Sequence, residues 1–260
     1  MSSMSRNLKR AKNKFLITGT SSGLGKYLHD NLGGISLNRE KIQKNGAEII
    51  IHCAFNSDRN PKNTDQYFRD NVFLTGELTK VPHKKFIFIS SVDVYPKDAK
   101  RHFENEVINR NKIDGLYAAT KFMSEQLVKK NCSNFLILRC VALLGKDSRK
   151  NSLIKIIKDD KPTLTLSGKS VFNYILHSDV LAFIKLAIKN DFAGIYNLAS
   201  SENITFSKVT ELLKKKVNFE KYIYNVGNIN NTKVTNLSEN FKKTSREILV
   251  EFLKIYDTRD

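Results

Sequence analysis

Apolar residues in this chain occur in two patterns, short unbroken runs and longer stretches with a helical repeat. The runs at 14–18, 47–54, 85–90 and 134–139 are apolar almost throughout, as expected of strands covered on both faces of a parallel sheet. A briefer run at 34–39 predicts a further strand. Between them, residues 24–32, 64–81 and 116–130 carry apolar side chains at helical spacing, with Tyr67, Phe68, Val72, Phe73 and Leu78 on the second stretch and Pro82 as its stop. Residues 96–114 read as a polar loop. This alternation of strand and helix predicts an α/β fold with a doubly wound parallel sheet, abbreviated where only a short connection fits between the runs at 34–39 and 47–54.

Beyond residue 150 the pattern loosens. Helices are expected at 151–158, 178–189, 207–216 and 247–256, with Ser178 or Asp179 capping the second, and strands at 163–166 and 195–198. Residues 221–243 are polar and asparagine-rich, which predicts a loop-rich region. The chain has 260 residues, enough for one large domain with a small lobe.

The first strand runs into Gly19, Thr20, Ser21, Ser22, Gly23, Leu24 and Gly25, and a helix follows. Glycines in a strand-turn-helix context allow a tight turn and a close backbone approach, while the helix N-terminus offers free amide donors and positive dipole to a pyrophosphate. Such a turn predicts a Rossmann-like dinucleotide site. The organisation then reads as a basic tail at 1–13, a dinucleotide-binding domain at 14–150, and a smaller substrate-binding lobe at 151–260 interleaved with the end of the sheet. At the end of the second strand a carboxylate would hold the ribose of NAD, whereas this chain has Asn38 and Arg39 there and no acid until Glu40. Arginine can receive the extra phosphate of NADP, so the expectation tilts from NAD toward NADP. A solvated loop arginine is the alternative.

Tyr117 and Lys121 lie one turn apart on the same face of the predicted helix 116–130. A tyrosine hydroxyl titrates near ~10, so a proton-transfer role near neutrality needs a nearby positive charge to stabilise the phenolate. Ser91 stands at the carboxyl end of a central strand, where ligands bind in open α/β sheets, and can orient a substrate oxygen toward Tyr117. Together with the glycine turn, these residues describe proton and hydride transfer.

Composition changes this picture little. The formal net charge of +18 raises nucleic acid as a partner, but the lysines are spread over nearly every helix without an aromatic-interleaved groove. We read the charge as a solvated surface that attracts anionic substrates, with no dedicated nucleic-acid site. Cys53, Cys132 and Cys140 have neither metal-ligand nor disulfide spacing, so no metal is expected and a reducing cytoplasm is. No apolar run reaches the ~20 residues of a membrane span.

In order along the chain, the glycine turn, the strand end at 52–54, Asn71, the Ser90-Ser91 strand end with Asp93, Tyr117 with Lys121, and the segment 138–145 resemble the extended short-chain dehydrogenase/reductase family of nucleotide-sugar epimerases, dehydratases and reductases. The resemblance spans roughly residues 14–215. It implies Tyr117 as acid/base, Lys121 as a ligand of the nicotinamide ribose, Ser91 at the reacting oxygen, and Cys53, Ala54, Asn71 and Ser90 around the cofactor. It also implies a nucleotide-activated sugar substrate, 4-epimerase or 4-keto reductase activity of the kind used in surface-polysaccharide biosynthesis, and a homodimer formed through the helices at 64–81 and 116–130. Two departures bear on the substrate. Val92 and Asp93 replace the Asp-Glu pair of hexose dehydratases, which argues against that reaction. Phe172 and Asn173 stand near the position of the arginine that grips the sugar-nucleotide diphosphate. Asp93, Phe172 and Asn173 are therefore candidate substrate contacts, with Lys146, Arg149 and Lys150 available for the anionic group. A dinucleotide-binding sensor or scaffold without catalysis is the alternative reading.

Overall fold

A computed structural model describes residues 14–37, 46–58 and 61–257. Six strands form one fully parallel sheet: β1 (Phe15–Thr18), β2 (Ile35–Leu37), β3 (Ile49–His52), β4 (Lys85–Ser91), β5 (Phe135–Cys140) and β6 (Gly194–Leu198). Their order across the sheet is β6-β5-β4-β3-β1-β2. β1, β3 and β4 are buried along their whole length, which explains their unbroken apolar runs. The chain leaves β1 toward β2 on one side and returns to β3 on the other. That reversal opens a crevice at the carboxyl ends of β1 and β3, the usual ligand position in such sheets.

The helices that place the site are α1 (Gly23–Leu32) and α2 (Gly115–Asn131), followed by α3 (Ser152–Lys158), α4 (His177–Lys189), α5 (Phe206–Leu213) and α6 (Ser245–Asp257). Phe15, Ile17, Leu24 and Leu28 pack one sheet face against α1 and α4, while Leu16, Ile50, Phe86 and Phe88 pack the other face toward α2. A third group of buried side chains, including Leu144, Leu153, Leu166, Tyr174, Phe206 and Phe252, gathers the elements after residue 142.

Three expectations change. The stretch 64–81 is a helix at Thr64–Phe68, a π-helical turn at Arg69–Phe73 and a helix again at Leu74–Thr79. Just past this widened turn the Thr75 hydroxyl donates to the Asn71 carbonyl at 2.6 Å. Helix α4 begins at His177, ahead of the expected caps. Asp179 reaches back from inside the helix to accept the Leu176 N–H at 3.1 Å, so it caps from the first turn and Ser178 does not cap. Strand β3 is shorter than the run 47–54 at both ends; beyond it Cys53 lines the crevice and Ala54 backs the glycine turn. Asn38 and Arg39 lie outside the described residues, and the cofactor-phosphate expectation with them.

Among the described residues no helix is long and apolar enough to cross a membrane, and no group of His, Cys, Asp and Glu could hold a metal ion.

Candidate active site

The carboxyl ends of β1 and β3 are tied together by one hydroxyl. Thr18 Oγ1 accepts the N–H of Cys53 at 3.1 Å and of Ala54 at 3.0 Å, and lies 2.8 Å from His52 Nδ1. With both lone pairs occupied, Thr18 donates its proton to Nδ1. His52 therefore carries its own proton on Nε2 and donates it to Thr75 Oγ1 at 3.0 Å, and Thr75 donates onward to Asn71. This buried relay fixes the crevice and was invisible as a motif.

Gly19 follows β1 with φ of +74°, and a Cβ there would come within 2.8 Å of the Ala54 nitrogen. A Cβ at Gly25 would come within 2.3 Å of the Gly19 carbonyl. The turn thus packs as tightly as backbone permits, while beside Gly23 the nearest atom to such a carbon is the Asp147 carbonyl at 4.0 Å. Open space above the uncapped N-terminus of α1 fits a dinucleotide diphosphate.

From this turn a cavity of about 630 Å³ extends along the strand ends. Gly19, Ser22, Gly23, Leu24, Gly25 and Cys53 line its cofactor end, and Ser90, Ser91, Asp93, Tyr117 and Lys121 its middle. Leu143, Leu153, Leu166, Phe172, Tyr174, Phe206, Tyr222 and Tyr224 make up much of its distal wall. There the Phe172 ring lies 4.5 Å from Phe206, 4.7 Å from Tyr224 and 5.8 Å from Tyr174.

Ser91 ends β4, and its Oγ accepts the Asp93 N–H at 3.1 Å, which leaves the hydroxyl proton available to a substrate oxygen. Lys121 is 4% exposed, donates to the Ile89 carbonyl at 2.7 Å, and lies 3.6 Å above the centre of the Phe55 ring. Burial pushes its ammonium down to about 7, against the opposing pull of Cys53, Cys140 and Glu125. The Phe55 ring also meets Tyr117 edge-on at 5.7 Å. Burial pushes the thiols of Cys53 and Cys140 up to about 12, so they stay protonated.

A second buried assembly, also missed by motif reading, backs the strand end. Glu125 accepts the Ser90 hydroxyl at 2.6 Å and pairs with Arg139 through two bonds at 3.0 and 2.7 Å. Arg139 also donates to Tyr95 Oη at 2.8 Å, and Tyr95 donates to Asn197 at 2.8 Å. The network joins α2, β4, β5 and β6 behind Ser91 and Lys121. The one available signal was Arg139 itself, a charge inside an apolar strand run that demands a buried partner.

Several expected contacts lie elsewhere. Asn173 is buried and turned to Ser200 and Asn203, donating to Asn203 Oδ1 at 2.9 Å and accepting the Ser200 N–H at 2.8 Å; it holds loops together and does not line the cavity. Asn71 grips the backbone of Asn56 at 2.7 and 3.0 Å beneath the crevice, and Ala54 backs Gly19, so both support the cofactor end from behind. Thr20 turns its hydroxyl to Ser36, and neither it nor Ser21 lines the cavity. Lys146 is exposed outside the cavity, whereas Arg149 and Lys150 line it. Asp93 lines it too, but its carboxylate is held by Lys97 at 2.7 Å and by the Tyr224 hydroxyl at 2.9 Å.

Residues 29–199, more than half of the chain, match the model of the NAD dependent epimerase/dehydratase family. The chain belongs to that family. Among solved structures it superposes with a TM-score of 0.80 on MoeE5 in complex with UDP-glucuronic acid and NAD, at 15% identity over 93% of this chain and 98% of that one. With dTDP-4-dehydrorhamnose reductase from Bacillus anthracis in complex with NADP the score is 0.76, at 19% identity over 94% and 99% of the two chains. These likenesses carry the fold. A curated relative, the sterol-4-alpha-carboxylate 3-dehydrogenase (decarboxylating) of Dictyostelium discoideum, is 26% identical over 188 residues, 66% of this chain and 57% of that protein. The chain thus spans somewhat more than half the length of that relative. Its family is one of NAD dependent epimerases and dehydratases.

Proposed function

We propose that this protein moves a hydride between a nicotinamide dinucleotide and a ring carbon of a nucleotide-activated sugar, as a 4-keto reductase or 4-epimerase of surface-polysaccharide biosynthesis. The observation that carries the reading is the shared cavity of Ser91, Tyr117, Lys121 and the glycine turn. When bound, the dinucleotide supplies the hydride donor or acceptor. In the reducing direction the carbonyl carbon takes the hydride and its oxygen takes a proton from Tyr117; oxidation reverses both transfers. Ser91 holds the reacting oxygen with its available O–H. Lys121, fixed on the Ile89 carbonyl, holds the ribose and favours the phenolate of Tyr117. The resemblance of the motifs to the extended short-chain reductases and the ligands of MoeE5 support the sugar assignment.

A second reading concerns only the substrate. The distal wall is largely aromatic and aliphatic, and the Dictyostelium relative is named a sterol dehydrogenase, which together favour an alcohol or ketone on an apolar ring system. Turnover assays with keto-sugar nucleotides and apolar ring ketones, each with NADH and NADPH, decide between them. Oxidation of cofactor with the nucleotide sugars supports the first reading; turnover confined to the apolar ketones overturns it. Cofactor binding without turnover of any substrate would leave a sensor or scaffold.

The exposed Phe73 and Met123, beside a groove lined by Val72, Phe122 and Leu127, support a homodimer through α2 and the helices at 64–79. The free thiols of Cys53, Cys132 and Cys140 fit the cytoplasm.

A further inference from the structure

The segment between the strand Ala142–Leu144 and α3 forms a held turn. The Gly145 N–H donates to Ser148 Oγ at 2.7 Å, the Ser148 N–H returns to the Gly145 carbonyl at 3.0 Å, and Asn151 caps α3 by accepting the Ile154 N–H at 3.0 Å. This turn leans on the glycine turn at two points. The Gly23 N–H donates to the Asp147 carbonyl at 2.7 Å, and Arg149 Nε donates to Ser22 Oγ at 3.0 Å. An oxygen of the chain itself therefore occupies one of the amide donors that face the open space above α1.

Charge adds an independent argument. Arg149 and Lys121 line the same cavity, and the positive charge of Arg149 acts on Lys121 across it. The one carboxylate among the lining side chains, Asp93, is already held by Lys97 and Tyr224. Among the described residues no carboxylate pairs with Arg149. With Lys150, three basic side chains line one cleft without a free carboxylate among the described lining residues, and such a cleft calls for an anionic ligand. The Arg149 guanidinium reaches the glycine turn and so stands at the cofactor end, away from the aromatic wall.

We propose that Arg149 is a cofactor ligand, whose guanidinium closes on the diphosphate of the dinucleotide by exchanging the Ser22 hydroxyl for phosphate oxygens. The Asp147 carbonyl then yields the Gly23 N–H to the same group. This assignment rests on the dinucleotide reading above and gives Arg149 to the cofactor, where the sequence offered it to the substrate. A planar guanidinium suits two phosphate oxygens at once, which an ammonium cannot match.

The test titrates the full chain and its Arg149→Ala and Arg149→Lys variants with NADH, NADPH, ADP-ribose and adenosine, at low and high salt. Arg149→Ala should weaken binding of the three diphosphates by about 10- to 100-fold, Arg149→Lys by less, and adenosine should bind all three proteins alike. The salt dependence of dinucleotide binding should fall in Arg149→Ala. Arg149 is exposed, so melting temperatures should agree among the three proteins and keep the comparison free of unfolding. Wild-type affinity of Arg149→Ala for ADP-ribose, or a change confined to substrate KM, overturns the assignment. A wild-type protein that binds no dinucleotide sinks the proposed function and this assignment together, whereas a binding wild type with an indifferent variant sinks this assignment alone.

Discussion

The two ends of the cavity are built by different means. At the cofactor end, small residues and backbone groups stand on the ends of strands inside the six-stranded parallel sheet, and side-chain hydrogen bonds such as those of Thr18, His52 and Thr75 set their spacing. At the distal end, aromatic and aliphatic side chains come from strands paired only two at a time, from helices and from loops, held by contact with one another. The first design fixes atoms for one chemical step. The second sets the shape of the space beyond them.

If this contrast is right, damage at the two ends should read out differently. Tyr117→Phe should reduce turnover by ~10² to 10⁴ while leaving cofactor affinity intact, measured by steady-state kinetics and fluorescence titration. Substantial retained activity would remove the proton-transfer role. Glu125→Leu leaves Arg139 buried without its counter-charge and should lower stability by about 3–5 kcal/mol in denaturant melts. A variant as stable as the parent would show that the pair is not what holds the strand end.

At the distal end, Phe172→Ala removes a ring that touches three others and should raise substrate KM by ~10-fold with cofactor affinity unchanged. Equal losses for cofactor and substrate would erase the distinction between the ends. The gentlest test uses pH. Lys121 titrates at about 7 in the fold against 10.5 as a free side chain, so the unfolded chain binds the extra proton between those values. Wild-type stability should therefore rise with pH from about 7 to 10.5, by at most about 1.4 kcal/mol per pH unit. Lys121→Met should lack this slope, and parallel curves for the two proteins would contradict the buried cation.

The same contrast governs what could be read from residues alone. Strands β1, β3, β4 and β5 were legible because a strand covered on both faces must be apolar at nearly every position, and Tyr117 with Lys121 were legible because helical spacing alone puts them on one face. Glu125 was not. It sits one turn beyond Lys121 and resembles any solvated helix carboxylate until β5 brings Arg139 against it. The π-helical turn at Arg69–Phe73 is a change in backbone bonding that hydrophobic spacing does not register. Asn173 reads as a cavity residue beside Phe172, but neighbours in an extended segment face opposite ways, and its amide was needed by Ser200.

The parallel pairing of β6 with β5 also governs the birth of the protein. Gly194–Leu198 supplies the outer partner of Leu136–Cys140, so during synthesis β5 has an open edge until the last strand of the sheet leaves the ribosome. At ~5–20 residues per second that wait is roughly three to ten seconds, a window in which an apolar strand edge is open to pairing with other nascent chains.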